Sequence, residues 1–250
     1  MSEVIYKIES DIARITLNKP EKRNALNEKI IEQLKASLIK AETDGAKAVV
    51  LSGAGKDFCS GADLSSLQKI SESDVIENLA DAENLMGLFL LMRRLKLPII
   101  AAVRGRALAG GCGLATACDI VLAARSARFG YPEVKIGFVP AMVTTILRRN
   151  LSEKKAFELI TQGFEFSAEE AKQIGLVNEV FDDEKFDEEV TRYVSIYKNI
   201  SQSAVSLTKK LLYQIDGLSF EASMQIGAEV NTIARFTEDC RKGIQKFLSK

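Results

Sequence analysis

Two loops rich in small residues have the composition needed to bind a developing negative charge through main-chain N–H groups. The first is Phe-Cys-Ser-Gly-Ala-Asp at 58–63, and the second is Ala-Gly-Gly-Cys-Gly at 109–113. The second loop lies between a predicted strand and a predicted helix, so the N–H groups of Gly110 and Gly111 are candidates for an oxyanion site. If the two loops belong to neighbouring βα units, two N–H donors can point at one oxygen atom. Taken alone, a tight structural turn explains the same glycines equally well.

Glu133 is the acid whose surroundings favour proton transfer. It stands among apolar residues and glycines, between Pro132 and Pro140. Apolar surroundings raise the pKa of a carboxyl group, which suits it to exchange protons near neutrality. The alternative is an acid on a surface turn that pairs with Lys135 or Arg128, and the sequence alone leaves both interpretations open.

Several other kinds of catalysis are disfavoured by what the chain lacks. It contains no histidine, which excludes Ser–His and Cys–His catalysis within one chain and removes the commonest metal ligand. Gly-Ala-Gly-Lys at 53–56 lacks the first glycine of a phosphate-binding loop, and Asp57 follows where Ser or Thr is needed. Thr116 stands where a dinucleotide-binding loop would have its third glycine. We therefore predict no metal ion and no redox or nucleotide cofactor.

The composition indicates a soluble globular protein. The 250 residues suffice for one large domain, with or without a small appendage. Lys plus Arg and Asp plus Glu both number 34, and this zero net charge argues against a nucleic-acid partner. The four cysteines show no C-x-x-C spacing, so reduced, packed thiols are expected. No secretory signal and no membrane-spanning segment are predicted, which places the protein in the cytoplasm.

Hydrophobic periodicity predicts an α/β protein with parallel βα units. Residues 4–17 have the pattern of two short strands, and a helix follows from about Asn27. Strands and helices then alternate to about residue 145, except for a polar, exposed stretch at 65–74. The pattern is helical from Ser152 onward. We expect an α/β core at 1–190 and a helical C-terminal region at 191–250.

A series of short segments, in this order, resembles the successive signatures of the crotonase (enoyl-CoA hydratase/isomerase) superfamily across nearly the whole chain. The segments are Asn-Ala-Leu at 24–26, Phe-Cys-Ser-Gly-Ala-Asp-Leu at 58–64, Pro-Ile-Ile-Ala-Ala-Val at 98–103, Ala-Gly-Gly-Cys-Gly-Leu at 109–114, Cys-Asp-Ile at 118–120, Ala-Arg-Phe-Gly-Tyr-Pro-Glu at 127–133 and Ala-Lys-Gln-Ile-Gly-Leu-Val-Asn-Glu-Val at 171–180. The resemblance implies a spiral of ββα units. It also implies a helical C-terminal trimerisation region, giving a homotrimer or a dimer of trimers.

The same resemblance implies an acyl-CoA thioester site. The N–H groups of Ala62 and Gly110 would form the oxyanion hole for the thioester carbonyl, with Glu133 as the catalytic acid–base group. Further residues implied to bind CoA or the acyl group are Arg23, Ala25, Asp63, Leu64, Ser65, Gly111, Gly113, Pro132, Phe138 and Met142. No metal or redox cofactor is implied, because coenzyme A arrives as part of the substrate.

One departure from the family pattern affects the predicted reaction. Hydratases of the family typically use two glutamates, and the first of them falls on Gly113. The Gly-Leu at 113–114 and the run Ile-Gly-Phe-Val-Pro-Ala at 136–141 are similar to the bacterial methylglutaconyl-CoA hydratase branch, which also lacks that glutamate. The resemblance therefore implies hydration of a 2-enoyl-CoA in fatty acid metabolism or leucine degradation. The alternatives are a Δ3,Δ2-enoyl-CoA isomerase that uses Glu133 alone and a catalytically weak acyl-CoA-binding protein.

Overall fold

The computed structural model describes residues 2–249, apart from the side chains of Leu64, Ser65 and Leu67. The strands are β1 Val4–Glu9, β2 Ile12–Leu17, β3 Ala48–Gly53, β4 Ile99–Val103, β5 Arg106–Leu108, β6 Ile120–Ala124, β7 Arg128–Gly130, β8 Glu165–Ser167 and β9 Glu179–Phe181. The α-helices are α1 Glu28–Thr43, α2 Leu64–Glu72, α3 Val75–Arg94, α4 Gly110–Thr116, α5 Ala141–Asn150, α6 Glu153–Gln162, α7 Ala168–Gln173, α8 Phe186–Val194, α9 Gln202–Gln214, α10 Phe220–Arg235 and α11 Glu238–Leu248.

Two sheets organise the described residues into repeated ββα units. The larger sheet has the order β1-β2-β3-β4-β6-β9, and the smaller one has the order β5-β7-β8. β4 and β6 lie in the larger sheet, whereas the strands that follow them, β5 and β7, pair in the smaller one. Apart from the antiparallel β1–β2 pair, the larger sheet is parallel. The predicted α/β class and its ββα spiral are confirmed.

Both faces of the larger sheet are covered, which is why its central strands are continuously apolar. Val49 and Leu51 of β3 face the main core with α1 and α3, whereas Val50 faces a second core. Phe186 and Val190 of α8 close that second core. The expected boundary at 190/191 falls inside α8, and the division into a core at 1–190 and a helical C-terminal region at 191–250 stays a prediction.

Two local features of the fold differ from the sequence-based expectation. The stretch predicted to be an exposed polar segment forms α2, and β8 and β9 interrupt the region predicted to be helical. Each of these strands has three residues. β8 pairs with β7, which brings Phe166 opposite Phe129, and β9 pairs with β6, which brings Val180 opposite Ala123. Because a strand of three residues is defined mainly by the strand it pairs with, its own sequence pattern does not reveal it.

A buried charged group ties the C-terminal helices to the larger sheet. Lys209 of α9 is 7% exposed, and its Nζ donates to Asp119 Oδ2 at 2.7 Å and to the Leu97 carbonyl at 2.8 Å. Burial lowers the pKa of Lys209, which Asp119 partly offsets. Asp119 also accepts from Tyr213 Oη and from the Ile99 N–H of β4. α9 is thereby fixed against the start of a central strand.

The last two helices leave a large apolar surface uncovered. Within the described part of the chain, α10 and α11 have no buried residue. Their exposed apolar side chains include Phe220, Met224, Ile233, Phe247 and Leu248. A surface of this size favours association, and the predicted trimer or hexamer stays a prediction. Among the described residues, no helix combines the length and the apolar composition that crossing a bilayer requires.

Candidate active site

The two small-residue loops lie side by side, because main-chain hydrogen bonds join the first loop to β5, the strand that leads into the second loop. Cys59 forms a parallel bridge with Ala107; it donates its N–H to Arg106 O at 3.1 Å and accepts from the Leu108 N–H at 3.0 Å. A Cβ added to Gly111 would lie 2.3 Å from the Cys59 carbonyl oxygen. Glycine at 111 therefore permits the close approach of the two loops.

The N–H groups of Ala62 and Gly110 are both available to a ligand. The Gly61 carbonyl, which shares a peptide with the Ala62 N–H, accepts from Leu26 N–H at 2.6 Å. Because the C=O and N–H of a trans peptide point in opposite directions, the Ala62 N–H points away from Leu26. Gly110 is the first residue of α4, so its N–H has no acceptor within that helix. A Cβ on Gly61 would lie 3.4 Å from the Gly110 nitrogen, which shows how close the two loops are.

Glu133 lies in a 3₁₀ turn, Pro132–Ile136, and its side chain is directed into the protein. It is 9% exposed, and its Oε2 atom has no hydrogen-bond partner among the described residues. Burial raises the pKa of Glu133 above its ordinary value of 4.5. This arrangement does not match an exposed acid paired with Lys135 or Arg128, because Arg128 instead donates to the Glu165 carbonyl.

Glu133, Ala62 and Gly110 line one cavity of about 300 Å³. The first residues of α1 and one face of α3 border it on one side, and the segment from the 3₁₀ turn into α5 borders it on the other. Its apolar lining residues include Leu26, Ile31, Leu85, Phe138, Met142 and Val143. The geometry thus combines an apolar cavity, two main-chain donors and one desolvated acid, which is suited to stabilising an enolate and moving a proton.

Neighbouring thiol and phenol groups do not compete for the acid–base role. Cys59 and Cys112 are fully buried, and burial raises the pKa of each thiol to about 12. Burial also raises the pKa of Tyr131, whose hydroxyl donates to Thr116 Oγ1 at 3.5 Å. These groups stay protonated near neutrality. All four cysteines are free, as expected for packed, reduced thiols.

Val143 of α5 fills the space beside Gly113. A Cβ added to Gly113 would lie 2.5 Å from Val143 Cγ2, and Phe89 would be the next side chain in contact. Val143 is buried and lines the cavity. A side chain at 113, including a glutamate, therefore needs Val143 to move or to be smaller. The glycine at 113, where family hydratases typically have a glutamate, therefore fits the close packing of α4 against α5.

This packing leads to a prediction about position 113. Gly113→Ala is expected to cost about 1–3 kcal/mol of unfolding free energy through overpacking, partly offset by the higher helix propensity of alanine. In a Val143→Ala background the overpacking is relieved and the propensity gain remains. Urea unfolding of the wild type, both single variants and the double variant should therefore give a favourable coupling of at least about 1 kcal/mol. Additive effects of the two substitutions would contradict the contact.

The remaining predicted residues fall into four groups. Phe138 and Met142 line the cavity, whereas Gly111, Gly113 and Pro132 are not among its lining residues. Arg23 has a left-handed φ of 51° and Ala25 is buried, in the segment that precedes α1. Contact of Arg23 and Ala25 with CoA stays a prediction. The side chains of Leu64 and Ser65 lie outside the described residues.

Asp63 is buried. It is 3% exposed, and its carboxylate accepts from Lys19 Nζ at 3.3 Å and from Lys22 Nζ at 3.1 Å. The carboxylate thereby anchors the segment around Arg23 to the start of α2. Whether Asp63 also contacts CoA is untested by this geometry and stays a prediction.

Val143 and Asp81 line the cavity, yet the sequence pattern does not single them out. Val143 follows Pro140 in a run of apolar residues and resembles any helical core residue. Asp81 belongs to α3, together with the exposed acids Glu77 and Glu83. The one available signal is helical spacing, because Asp81 lies four residues before Leu85, which also lines the cavity.

Comparisons with known proteins agree with this geometry. A sequence model for the enoyl-CoA hydratase/isomerase family matches residues 7–250. The chain is 40% identical over 240 residues to a putative enoyl-CoA hydratase of Thermus thermophilus, covering 96% of this chain and 95% of that protein. It is 34% identical to the 2,3-dehydroadipyl-CoA hydratase of Escherichia coli, covering 100% and 97% of the two chains. A crystal structure of an enoyl-CoA hydratase from Mycobacterium smegmatis superposes with a TM-score of 0.93 at 30% identity, covering 99% and 96%.

Proposed function

Since this chain belongs to the enoyl-CoA hydratase/isomerase family, we propose that it adds water reversibly to the double bond of a 2-enoyl-CoA. The catalytic groups in this proposal are the N–H groups of Ala62 and Gly110 and the carboxylate of Glu133. The observation that supports it most strongly is the cavity that these three residues share, with Glu133 buried and its Oε2 unpartnered among the described residues.

The two main-chain donors act on the thioester carbonyl. When the oxygen of water adds at C3, the electron pair of the C2–C3 bond moves toward that carbonyl and an enolate forms. Hydrogen bonds from Ala62 and Gly110 stabilise the charge on the oxygen, and they strengthen as the charge develops. Because these donors are fixed by the loop backbone, they need little rearrangement during the reaction.

Glu133 carries out both proton-transfer steps in this proposal. Its carboxylate takes one proton from the attacking water as the C3–O bond forms, and the resulting carboxylic acid returns a proton to C2 of the enolate. The product is a 3-hydroxyacyl-CoA, with the elements of water added across C2 and C3. The raised pKa of Glu133 supports both steps, because it brings the acid and base forms closer in energy near neutrality. The mechanism uses no metal or redox cofactor.

Hydration is tested by incubating the purified protein with crotonyl-CoA. We expect the absorbance of the conjugated enoyl thioester to fall and 3-hydroxybutyryl-CoA to appear by mass spectrometry. If neither crotonyl-CoA nor longer 2-enoyl-CoA esters are consumed, although they bind, the proposal is wrong and a catalytically weak acyl-CoA-binding protein is the better description.

Double-bond isomerisation is the second candidate, and the Gly113–Val143 contact favours it. A single acid can shuttle a proton between C4 and C2 without any water adding to the chain. Incubation of 3-enoyl-CoA in heavy water separates the two reactions. A hydratase leaves 3-enoyl-CoA unchanged, whereas an isomerase yields 2-enoyl-CoA with no 3-hydroxy product.

The identity of the acyl group belongs to the proposal as well. Methylglutaconyl-CoA, an intermediate of leucine degradation, is one candidate from the sequence resemblance, and a short straight-chain enoyl-CoA of fatty acid metabolism is the other. Relatives of this chain include a protein named crotonyl-CoA hydratase and one named 2,3-dehydroadipyl-CoA hydratase. A cytoplasmic homotrimer or hexamer acting on such a thioester completes the proposal.

A further inference from the structure

The charged residues that line the active-site cavity all carry the same sign. Glu28, Asp81 and Glu133 line it, and no Lys or Arg lines it among the described residues. The side chains outside the description belong to leucine and serine, so they supply no cation. The region in which an acyl group would lie therefore carries an excess of negative charge.

Asp81, like Glu133, carries charge that has no counter-ion among the described residues. Asn78, Ala82 and Leu85 line the cavity with it, so this face of α3 is directed toward the acyl group. The Asn78 amide donates to the carbonyls of residues 70 and 73 and is committed to the fold. Asp81 is half-buried, and no hydrogen bond or ion pair joins its carboxylate to another described residue.

Glu28 differs from Asp81 because a cation lies close to it. Lys69 Nζ lies 3.6 Å from its carboxylate, and the Lys69 side chain is 64% exposed. An exposed ion pair of this kind is worth little, but it offsets the charge of Glu28. The pair adds no net positive charge that could attract an anion into the cavity.

The opposite side of the cavity offers hydrocarbon instead of hydrogen-bond donors. Val143 is packed against Gly113, and Met142 and Phe138 add to the apolar lining on this side. The N–H groups of Ala62 and Gly110 are taken up by the thioester oxygen in the proposed reaction. A second anionic group on the acyl chain would therefore lose part of its hydration and would find no cation among the described lining residues.

From these observations we infer that the cavity selects acyl groups without charge and discriminates against acyl groups that end in a carboxylate. The inference rests on the proposed function, because it assumes that the acyl chain of a CoA ester occupies this cavity. A terminal carboxylate would be repelled by Asp81 and Glu133 and would meet no cation. The physiological substrate is then a hydrocarbon enoyl-CoA, and methylglutaconyl-CoA is disfavoured.

The inference is tested by the binding of unreactive CoA esters that differ in one terminal group. Pentanoyl-CoA and glutaryl-CoA have the same chain length and end in a methyl group and a carboxylate, respectively. Isothermal titration calorimetry at pH 8 should show that the wild type binds pentanoyl-CoA at least about tenfold more tightly, since like charges in an interface are strongly unfavourable. Hexanoyl-CoA and adipoyl-CoA form a second pair with the same expected preference.

Asp81→Lys provides the decisive variant. It should reduce this preference at least about tenfold, mainly by tightening the binding of glutaryl-CoA. Glu83→Lys is the matched control, because it makes the same charge change on an exposed position of the same helix that does not line the cavity. Asp81→Asn removes the charge with almost no change of shape and should give an intermediate preference, so the test survives if the lysine variant folds poorly.

Two outcomes would overturn the inference. One is glutaryl-CoA binding to the wild type as tightly as pentanoyl-CoA does, and the other is an equal response to Asp81→Lys and Glu83→Lys. Failure of the proposed function gives a different result, because these esters need no turnover. A protein that keeps the preference but does not hydrate crotonyl-CoA leaves the inference standing and removes only the hydratase activity.

Discussion

Glu133→Gln is expected to lower kcat for crotonyl-CoA hydration by about 10²- to 10⁴-fold, the range that a positioned general acid–base group contributes. Glutamine keeps the size of the side chain and the packing of the 3₁₀ turn, but it cannot accept a proton from water. The desolvation that burial imposes on the Glu133 carboxylate disappears with its charge. The variant should therefore fold and lose activity through the chemical step.

Binding and stability measurements separate this result from a structural defect. The variant should bind butyryl-CoA with an affinity within about threefold of the wild type, because the amide does not change the apolar lining of the cavity. Glu184→Gln, which removes an exposed acid outside the cavity, should leave kcat unchanged. Hydration that survives in Glu133→Gln within about tenfold of the wild type would show that another group is the base.

The pH dependence of the unfolding free energy of the wild type and of Glu133→Gln reports on the burial of Glu133. Burial raises its pKa above 4.5 in the folded protein, so folding favours the protonated form. The stability that protonation contributes is fully present below pH 4.5 and is lost as the pH rises through the folded-state pKa. Urea unfolding between pH 4 and pH 8, a range of about four units chosen to span the pKa of the unfolded and of the folded state, tests this. As the pH increases, the free energy of unfolding of Glu133→Gln should rise relative to that of the wild type.

The acid limb of the wild-type kcat/KM profile should likewise lie above pH 4.5, because the base acts in its ionised form.

Gly110→Pro is expected to lower kcat by about 10²- to 10³-fold, the loss measured when one oxyanion donor is removed. Proline has no N–H, and its ring is compatible with the first position of a helix, which Gly110 occupies in α4. A Cβ at this position would meet Leu26 Cδ1 at 3.7 Å, an ordinary van der Waals contact. The substitution therefore removes the donor, and its Cβ fits without a clash.

Gly110→Ala is the matched control, because it adds the Cβ and keeps the N–H. It should retain most of the activity, whereas the proline variant should lose kcat more than affinity for butyryl-CoA. Ala109 has a φ of 50°, and a following proline restricts it further. The double variant Ala109→Gly/Gly110→Pro relieves that restriction and should be equally impaired. Equal activity of the proline and alanine variants would remove Gly110 from the proposed oxyanion hole.

Much of the fold and part of the site follow from short-range sequence patterns. The continuous apolar run of β3 is typical of a strand with both faces covered, and the helix expected from about Asn27 begins there, where the Asn27 side chain accepts from the Ile30 N–H at 2.8 Å. Gly110 and Gly111 were recognisable as candidate oxyanion donors because they lie in a small-residue loop between a strand and a helix. Glu133 was recognisable as a candidate acid–base group because its neighbours in sequence are apolar residues, glycines and prolines. Such features are local, so the sequence contains the information directly.

The tertiary structure determines which residues from other elements lie next to Gly113 and Glu133. That Val143 fills the space beside Gly113, and that Asp81 shares a cavity with Glu133, depend on how α3, α4 and α5 pack together. β8 and β9 are likewise defined by the strands they pair with.

The amino-acid sequence by itself determined the local backbone and the chemical groups available: two loops able to present N–H donors, one acid in apolar surroundings and no histidine. Only the folded chain determined that the donors and the acid meet in one cavity, that the acid is desolvated there, and that the remaining charges around it are negative. The physical reason is that helix capping and hydrophobic periodicity involve residues close in sequence, whereas packing and electrostatic interactions involve residues close in space.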